Sequence, residues 1–320
     1  MLLNYNNFTT EINKIGFFEN KAKIAVGVSG GPDSIVLAFL LSKFAKIKGY
    51  TVIALIVNHN LRLESSQEAK EVSDYLTRNK INNKVLSWRR KKNKKASQEK
   101  ARNARFEILH NYCKNNNIIH LFLGHHFDDN LETFILRKIA GSDIEGLNSM
   151  NSEAIFEKVR ILRPMLNCTK ESIIRFAKKN NLQWIKDPSN ENMSYSRSKI
   201  RYEIENTLKF KKIAKKDFEN KKLIYIDYLS MINRHLSYLI TKITNNKVEI
   251  NKNYFCKLPK GVAIKILVIL TKYVHNNSIR IKNRKIDLIN TGLSKKNSNF
   301  RTHSTIFASI SNKIDIYPIK

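Results

Sequence analysis

The chain has 320 residues, 42% of them hydrophobic, enough to build a core in two domains of ordinary size and too many for wholesale disorder. Lys and Arg number 58 against 27 Asp and Glu, and the resulting net charge of +31 draws polyanions, nucleic acid ahead of anionic membrane. Lys, Asn and Ile are all abundant, as an A+T-rich genome also produces, so the charge supports a nucleic-acid partner without deciding it. Cys113, Cys168 and Cys256 lie far apart with no Cys-x-x-Cys pair, which excludes a disulfide framework or a cysteine zinc site. All three read as small buried hydrophobes. The apolar run at 262–270 contains Lys265 and is too short to span a bilayer, and the N-terminus has no charged-then-apolar signal pattern. The expected location is the cytoplasm, with no membrane partner.

Residues 1–22 predict a short amphipathic helix packed through Phe8, Ile12, Ile15 and Phe17. From Lys23 the chain alternates strand and helix. Strands are expected at 24–28, 51–57, 84–88 and 118–123, and helices from Ile35 and at 65–79, 97–115 and 128–139. That alternation predicts an α/β fold, a Rossmann-like parallel sheet covered by helices on both faces, with ligands at the carboxyl ends of the strands. A further strand is expected at 157–162, ended by Pro164, and Thr169 should cap a helix over 171–177. The style then changes, with dense lysine from Lys209 to Lys222 and helical patterns over 223–243 and 260–275. The expected boundary is near residue 208, dividing an α/β domain (1–208) from a smaller, mainly helical one (209–320) with weak strands at 305–319.

The stretch Ser29-Gly30-Gly31-Pro32-Asp33-Ser34 stands between the first strand and its helix. Strand, glycine turn and helix aim the free N–H groups of the first helical turn at the loop. Gly30 and Gly31 let the chain turn tightly, Ser29 and Ser34 add hydroxyls, and Asp33 could hold a metal that rides on phosphates. No Lys follows the glycines, so the loop lacks the group that grips a γ-phosphate. A pyrophosphate cradle and a simple capped helix start both fit the stretch taken alone.

Four other clusters fall at strand ends or helix starts. His59 and Arg62, after the second strand, could face a nucleotide or lie in a solvated loop. The basic run at 89–95 reads as RNA backbone contact or as a solvated loop, while Arg102 and Arg105 on the next helix suit bidentate phosphate binding. In Gly124-His125-His126-Phe127-Asp128-Asp129-Asn130-Leu131-Glu132-Thr133, Asp129 and Glu132 share a helix face and could bind Mg²⁺ or an ammonium group. Near residue 200, Arg197 and Arg201 are spaced to reach one anion, or to pair with surface acids.

The six-residue loop resembles the PP-loop of the N-type ATP pyrophosphatases, which cleave ATP between the α and β phosphates. The wider set resembles the tRNA(Ile)-lysidine synthetases within that family: S-G-G-P-D-S, V-N-H-N-L-R, A-R-N-A-R-F, G-H-H-F-D-D-N-L-E-T, the 137–147 segment, R-P-M-L, and D-P-S-N with Y-S-R-S-K-I-R, in that order over 24–201. Asn58 and Asn60 stand where the family often has Asp and Gly, and Asp143 where it often has a second Gly.

The resemblance implies ATP and Mg²⁺ as cofactors, with tRNA(Ile) bearing a CAU anticodon and free L-lysine as partners. ATP would adenylylate C2 of the wobble cytidine, and the lysine side-chain amine would then expel AMP, changing codon reading from AUG to AUA. It implies catalytic roles for Asp33, Asp129 and Arg197, and ATP binding by Ser29, Gly30, Gly31, Pro32, Asp33, Ser34 and His59. Lysine would be held by Asp129 and Glu132, tRNA phosphates by Arg102, Arg105 and Arg201, and Mg²⁺ by Asp33. The rivals are a tRNA thiolase on the same loop, an AMP-forming small-molecule amide synthetase, and a nucleic-acid binder without catalysis. The sequence leaves a monomer and a homodimer open.

Overall fold

The computed structural model describes residues 1–58, 65–88, 98–185, 196–275, 283–293, 298–302 and 304–319, with 98–101, 196, 197, 205, 283 and 284 described as backbone only. It forms two compact units, Met1–Lys221 and Lys222–Lys320.

The first unit runs α1 (Tyr5–Ile15), β1 (Lys23–Val28), α2 (Pro32–Lys48), β2 (Thr51–Asn58), α3 (Ser65–Arg78), β3 (Asn83–Ser87), α4 (Gln98–Asn115), β4 (His120–Phe122) and α5 (Phe127–Ile139). It continues with α6 (Ile144–Leu147), β5 (Glu153–Phe156), β6 (Val159–Leu162), α7 (Lys170–Lys179), α8 (Ser196–Asn206) and the start of α9 (Leu208–Leu239). Its six strands stand in the order β3-β2-β1-β4-β6-β5, all parallel except the edge strand β5. Successive residues of the central strands point to opposite faces. Ile24, Val26, Ala54 and Ile56 pack with α1, α2, α3 and α7, whereas Ala25 and Leu55 pack with Leu109 and Cys113 of α4. The expected helix-covered parallel sheet is therefore present.

Asn4 caps α1 by accepting from the Asn7 N–H, and Phe8, Ile12 and Ile15 bury one face of that helix. Phe17 does not join them; it is 96% exposed. The packing passes to Phe18, whose ring meets Phe44, Tyr50, His120 and Phe122. The turn after Gly16 reverses which neighbour faces inward, and the Phe17 carbonyl accepts from Arg160 Nη1 at 3.0 Å. Next to it, His120 Nε2 lies 2.6 Å from Glu19 Oε2. Burial raises the Glu19 carboxyl, but the hydrogen bond and charge of His120 outweigh it and hold the group below its ordinary 4.5. A depressed carboxyl stabilises the fold above its unfolded pKa and loses that contribution as pH falls through the folded value. Glu19→Gln should therefore lower the urea midpoint at about pH 7, and the deficit should shrink as pH falls below the carboxyl's ordinary 4.5. A deficit that stays the same as pH falls would remove Glu19 from this linkage.

The second unit holds the end of α9, then β7 (Ile240–Thr244), β8 (Lys247–Asn251), α10 (Lys252–Phe255), α11 (Lys260–Val274), α12 (Asn283–Leu293), β9 (Asn299–Arg301), β10 (Thr305–Ile310) and β11 (Lys313–Pro318). Its antiparallel sheet, β7-β8-β11-β10-β9, shares a core with α11 and α12 through Val248, Ile250, Ile266, Leu267, Ile286, Phe307 and Ile316. The helix expected over 223–243 gives way to a strand at Ile240, and the hairpin to β8 extends the sheet beyond the 305–319 strands that were expected. The two compact units part inside α9, whose Phe210, Ala214 and Phe218 pack with Leu131, Phe134, Ile200 and Ile204 of α5 and α8. Cys113 and Cys168 are buried, with thiols pushed up to about 12 and about 11 by burial, but Cys256 is exposed, against expectation. Among the described residues no helix is long and apolar enough to cross a membrane.

Candidate active site

From β1 the chain moves outward to β2 and β3, whereas β4 and β6 lie on the other side of β1. The order thus reverses between β1 and β4, the position where open α/β sheets bind ligands beyond the strand ends. The loop 29–34 follows β1 and the histidine-acid cluster follows β4, so the fold brings the two together. A Cβ on Gly124 would lie 3.2 Å from the Asp33 carbonyl and 3.3 Å from the Ser34 N, which shows how closely the end of β4 approaches the loop.

Gly30 has φ +86° and a Cβ there would meet Val72 at 2.8 Å, so both backbone and space demand glycine. Inside the loop, the Ser29 N–H donates to Ser34 Oγ (3.1 Å) and Ser34 Oγ–H donates to the Gly31 carbonyl (2.9 Å). Pro32 opens α2, and Gly31 provides no side-chain cap. The first N–H groups of α2 are thereby left for an anion.

At the start of α5 the His126 N–H donates to Asp129 Oδ2 (3.1 Å) and the Asp129 N–H donates to His126 Nδ1 (3.4 Å), a reciprocal cap. His126 Nε2 stands 3.3 Å from Asp129 Oδ2 and 3.7 Å from Asp33 Oδ1, between the two motifs. Burial opposes charge on Asp129, but His126, His125, the His126 N–H and Arg201 outweigh it and hold the carboxyl below its ordinary value. His125 is pushed down to about 4, first by burial, with Arg163, Arg102 and His126 adding to it against the opposing pull of Asp129.

Glu132 is almost wholly buried, its side chain 2% exposed, and Arg201 of α8 grips it with Nε to Oε1 at 2.7 Å and Nη2 to Oε2 at 3.1 Å. The same Nη2 lies 3.9 Å from Asp129 Oδ1. Asp129 and Glu132 do share a face, as expected, and that face meets Arg201. The guanidinium expected to contact an RNA phosphate is turned into the acid pair.

The third helix start is α7. Thr169 caps it, accepting from the Ser172 N–H, and the Lys170 N–H donates to Asp128 Oδ2 at 2.7 Å. The Lys170 ammonium lies 2.6 Å from Asp33 Oδ2. Asp128 also faces Lys211 Nζ at 3.3 Å. Pro32, Phe127 and Lys170, the first residues of α2, α5 and α7, thus sit round one crevice. Sequence reasoning missed Lys170. Its signal was a cation at a helix N-terminus, where the dipole favours acids.

Arg102 and Arg105 are exposed on α4. Arg163, the arginine of R-P-M-L, extends from the end of β6, and its Nη1 donates to the Asn151 carbonyl at 2.9 Å. His59, Arg62, the 89–95 run and 187–190 lie outside the described residues, and Arg197 is described as backbone within α8. Among the described residues no group of three or more His, Cys, Asp or Glu forms a metal cage. Asp33 Oδ1 is buried without a hydrogen-bond partner, which fits Mg²⁺, a cation that takes one or two carboxylates and completes its shell with substrate phosphates and water. A cavity of about 370 Å³ between α5 and α9 is lined mostly by apolar side chains and includes none of these residues.

Residues 4–208 match the PP-loop domain family. The chain is 34% identical over 299 residues to the tRNA(Ile)-lysidine synthase of Wolbachia sp. subsp. Brugia malayi (strain TRS), covering 88% of this chain and 67% of that protein. The chain belongs to the tRNA(Ile)-lysidine synthase family of PP-loop proteins. The synthase of Wolbachia pipientis wMel is 34% identical over 82% of this chain and 61% of its own length. That of Orientia tsutsugamushi (strain Boryong) is 38% identical over 61% and 44%. The chain thus spans between 44 and 67% of the length of these synthases. A U34-tRNA thiolase from Methanococcus maripaludis shares the fold at TM-score 0.54 and 20% identity, over 67% of this chain and 77% of its own.

Proposed function

We propose that this chain makes lysidine in tRNA(Ile): ATP adenylylates the C2 oxygen of the wobble cytidine of a CAU anticodon, and free L-lysine then displaces AMP. In the first step the cytidine O2–P bond forms and pyrophosphate leaves. In the second the amine nitrogen bonds C2, gives up a proton, and the oxygen departs with AMP. Activation is needed because the pyrimidine carbonyl oxygen is a poor leaving group, and an adenylate makes it a good one.

The observation that carries this reading is the position of the His126 imidazole between Asp33 and Asp129, its Nε2 3.7 Å from one carboxylate and 3.3 Å from the other. It sets a phosphate cradle beside an ionised carboxylate in one crevice. Mg²⁺ on Asp33 would neutralise the leaving pyrophosphate. Ser29, Ser34 and the open N–H groups of α2 bind the phosphates. Asp129, its pKa depressed, stays charged at neutral pH and takes an ammonium group. Arg201, 3.9 Å from Asp129, supplies a positive neighbour, and together they match the ammonium and carboxylate of a free amino acid. Glu132 then serves lysine through Arg201, by orienting it. The test is mass spectrometry of the wobble nucleoside after incubation with tRNA(Ile), ATP and lysine; no mass gain of a lysyl group would overturn the reading.

The proposal extends to the lysines at the start of α9. Lys209, Lys212, Lys216 and Lys222 are exposed and suit tRNA phosphates. Changing all four to Gln should weaken tRNA binding and flatten the slope of log K against log salt by up to about 3. An unchanged slope in the salt series would assign tRNA binding elsewhere.

A further inference from the structure

We infer that Lys170 is the mobile counter-charge for the β and γ phosphates of bound ATP, stored on Asp33 until the nucleotide arrives. This rests on the ATP reading above. The 29–34 loop has no lysine of its own. The fold delivers one from 137 residues away, its ammonium 2.6 Å from Asp33 Oδ2, at the mouth of the cradle.

Lys170 is poorly placed for the helix that carries it. A cation at a helix N-terminus opposes the macrodipole. The rest of α7 obeys that rule, with Glu171 in the first turn and Lys178 and Lys179 in the last. Helix stability therefore gives no reason for a lysine at this position. Its main chain is nonetheless fixed on both sides, by the Thr169 cap and by the N–H bond to Asp128. Only the four-carbon stem is free to swing, and the side chain is one-third exposed.

Asp33 has two demands on it. Its Oδ1 is buried with no hydrogen-bond partner, and its Oδ2 holds the ammonium. When a divalent cation and phosphates enter, the cation competes with Lys170 for the carboxylate while the phosphates offer the ammonium a stronger anion. The lysine transfers a short distance from carboxylate to phosphate. The crevice thus avoids an unpaired Asp33 when empty and gains a cation at the leaving group when filled.

Binding separates this role from a structural one. Pyrophosphate, ATP and AMP are titrated by calorimetry, with and without Mg²⁺, into the full chain and its variants. Lys170→Gln should weaken pyrophosphate and ATP about tenfold or more, leave AMP unchanged, and be largely rescued by Lys170→Arg. Asp33→Asn frees the ammonium, so without Mg²⁺ it should tighten pyrophosphate, and the Asp33→Asn/Lys170→Gln double variant should lose that gain. Parent-like pyrophosphate affinity in Lys170→Gln, or equal weakening of AMP, would overturn the inference. Failure of the parent chain to bind ATP or pyrophosphate would overturn the ATP reading on which it stands.

Discussion

Asp33→Ala should reduce ATP–pyrophosphate exchange by about a hundredfold or more, the loss seen when one preorganised electrostatic contact to a reacting group is removed. The carboxylate stands at the mouth of the α2 N-terminus, with one oxygen buried and without a hydrogen bond and the other on Lys170. Neither contact belongs to the hydrophobic core. The substitution frees Lys170, which is one-third exposed and can hydrate, so thermal stability should stay within a few degrees of the parent. The check is exchange of labelled pyrophosphate into ATP in the presence of tRNA, beside a melting curve of the same preparation. Undiminished exchange would take Asp33 out of the mechanism, and a collapsed melting curve would make its role structural.

The largest effect on stability should come from Arg201→Ala. The guanidinium makes two hydrogen bonds to Glu132, whose side chain is 2% exposed, and lies 3.9 Å from Asp129. Breaking a buried pair from one side costs more than the pair itself contributes, because the remaining charge stays out of water. Arg201→Ala should therefore cost about 3 kcal/mol, measured by urea unfolding. Glu132→Ala should cost less, since the arginine left behind is 34% exposed and can turn to solvent. Arg201→Lys should recover only part of the loss, as a point charge cannot reproduce the two-pronged contact. A cost below about 0.5 kcal/mol for Arg201→Ala would place it among ordinary surface pairs.

The sheet and the two principal motifs were legible because they are local. Strand periodicity, glycine turns and a histidine-acid helix start are each written within about ten residues. What escaped was set by distant partners. Arg201 meets Glu132 across 69 residues and Lys170 meets Asp33 across 137, and no spacing in one sequence announces either. Phe17 and Phe18 are adjacent aromatics, and only the turn after Gly16 decides which of them packs. The β7–β8 hairpin did leave a trace: Asn245 and Asn246 stand between two runs with alternating β-branched residues, a turn signal. It was hidden because Ile240 and Ile243 also continue the helical spacing of α9.

The meeting of α2, α5 and α7 at one crevice has an evolutionary corollary. On the reading proposed above, much of the attraction for phosphate there comes from the uncapped peptide N–H groups at the start of α2, and a peptide unit is the same whatever side chain it bears. A genome under pressure toward lysine and asparagine can rewrite the surface without touching that field. Such a crevice tolerates biased composition, provided the glycines that shape the loop and the caps that begin the helices remain in place.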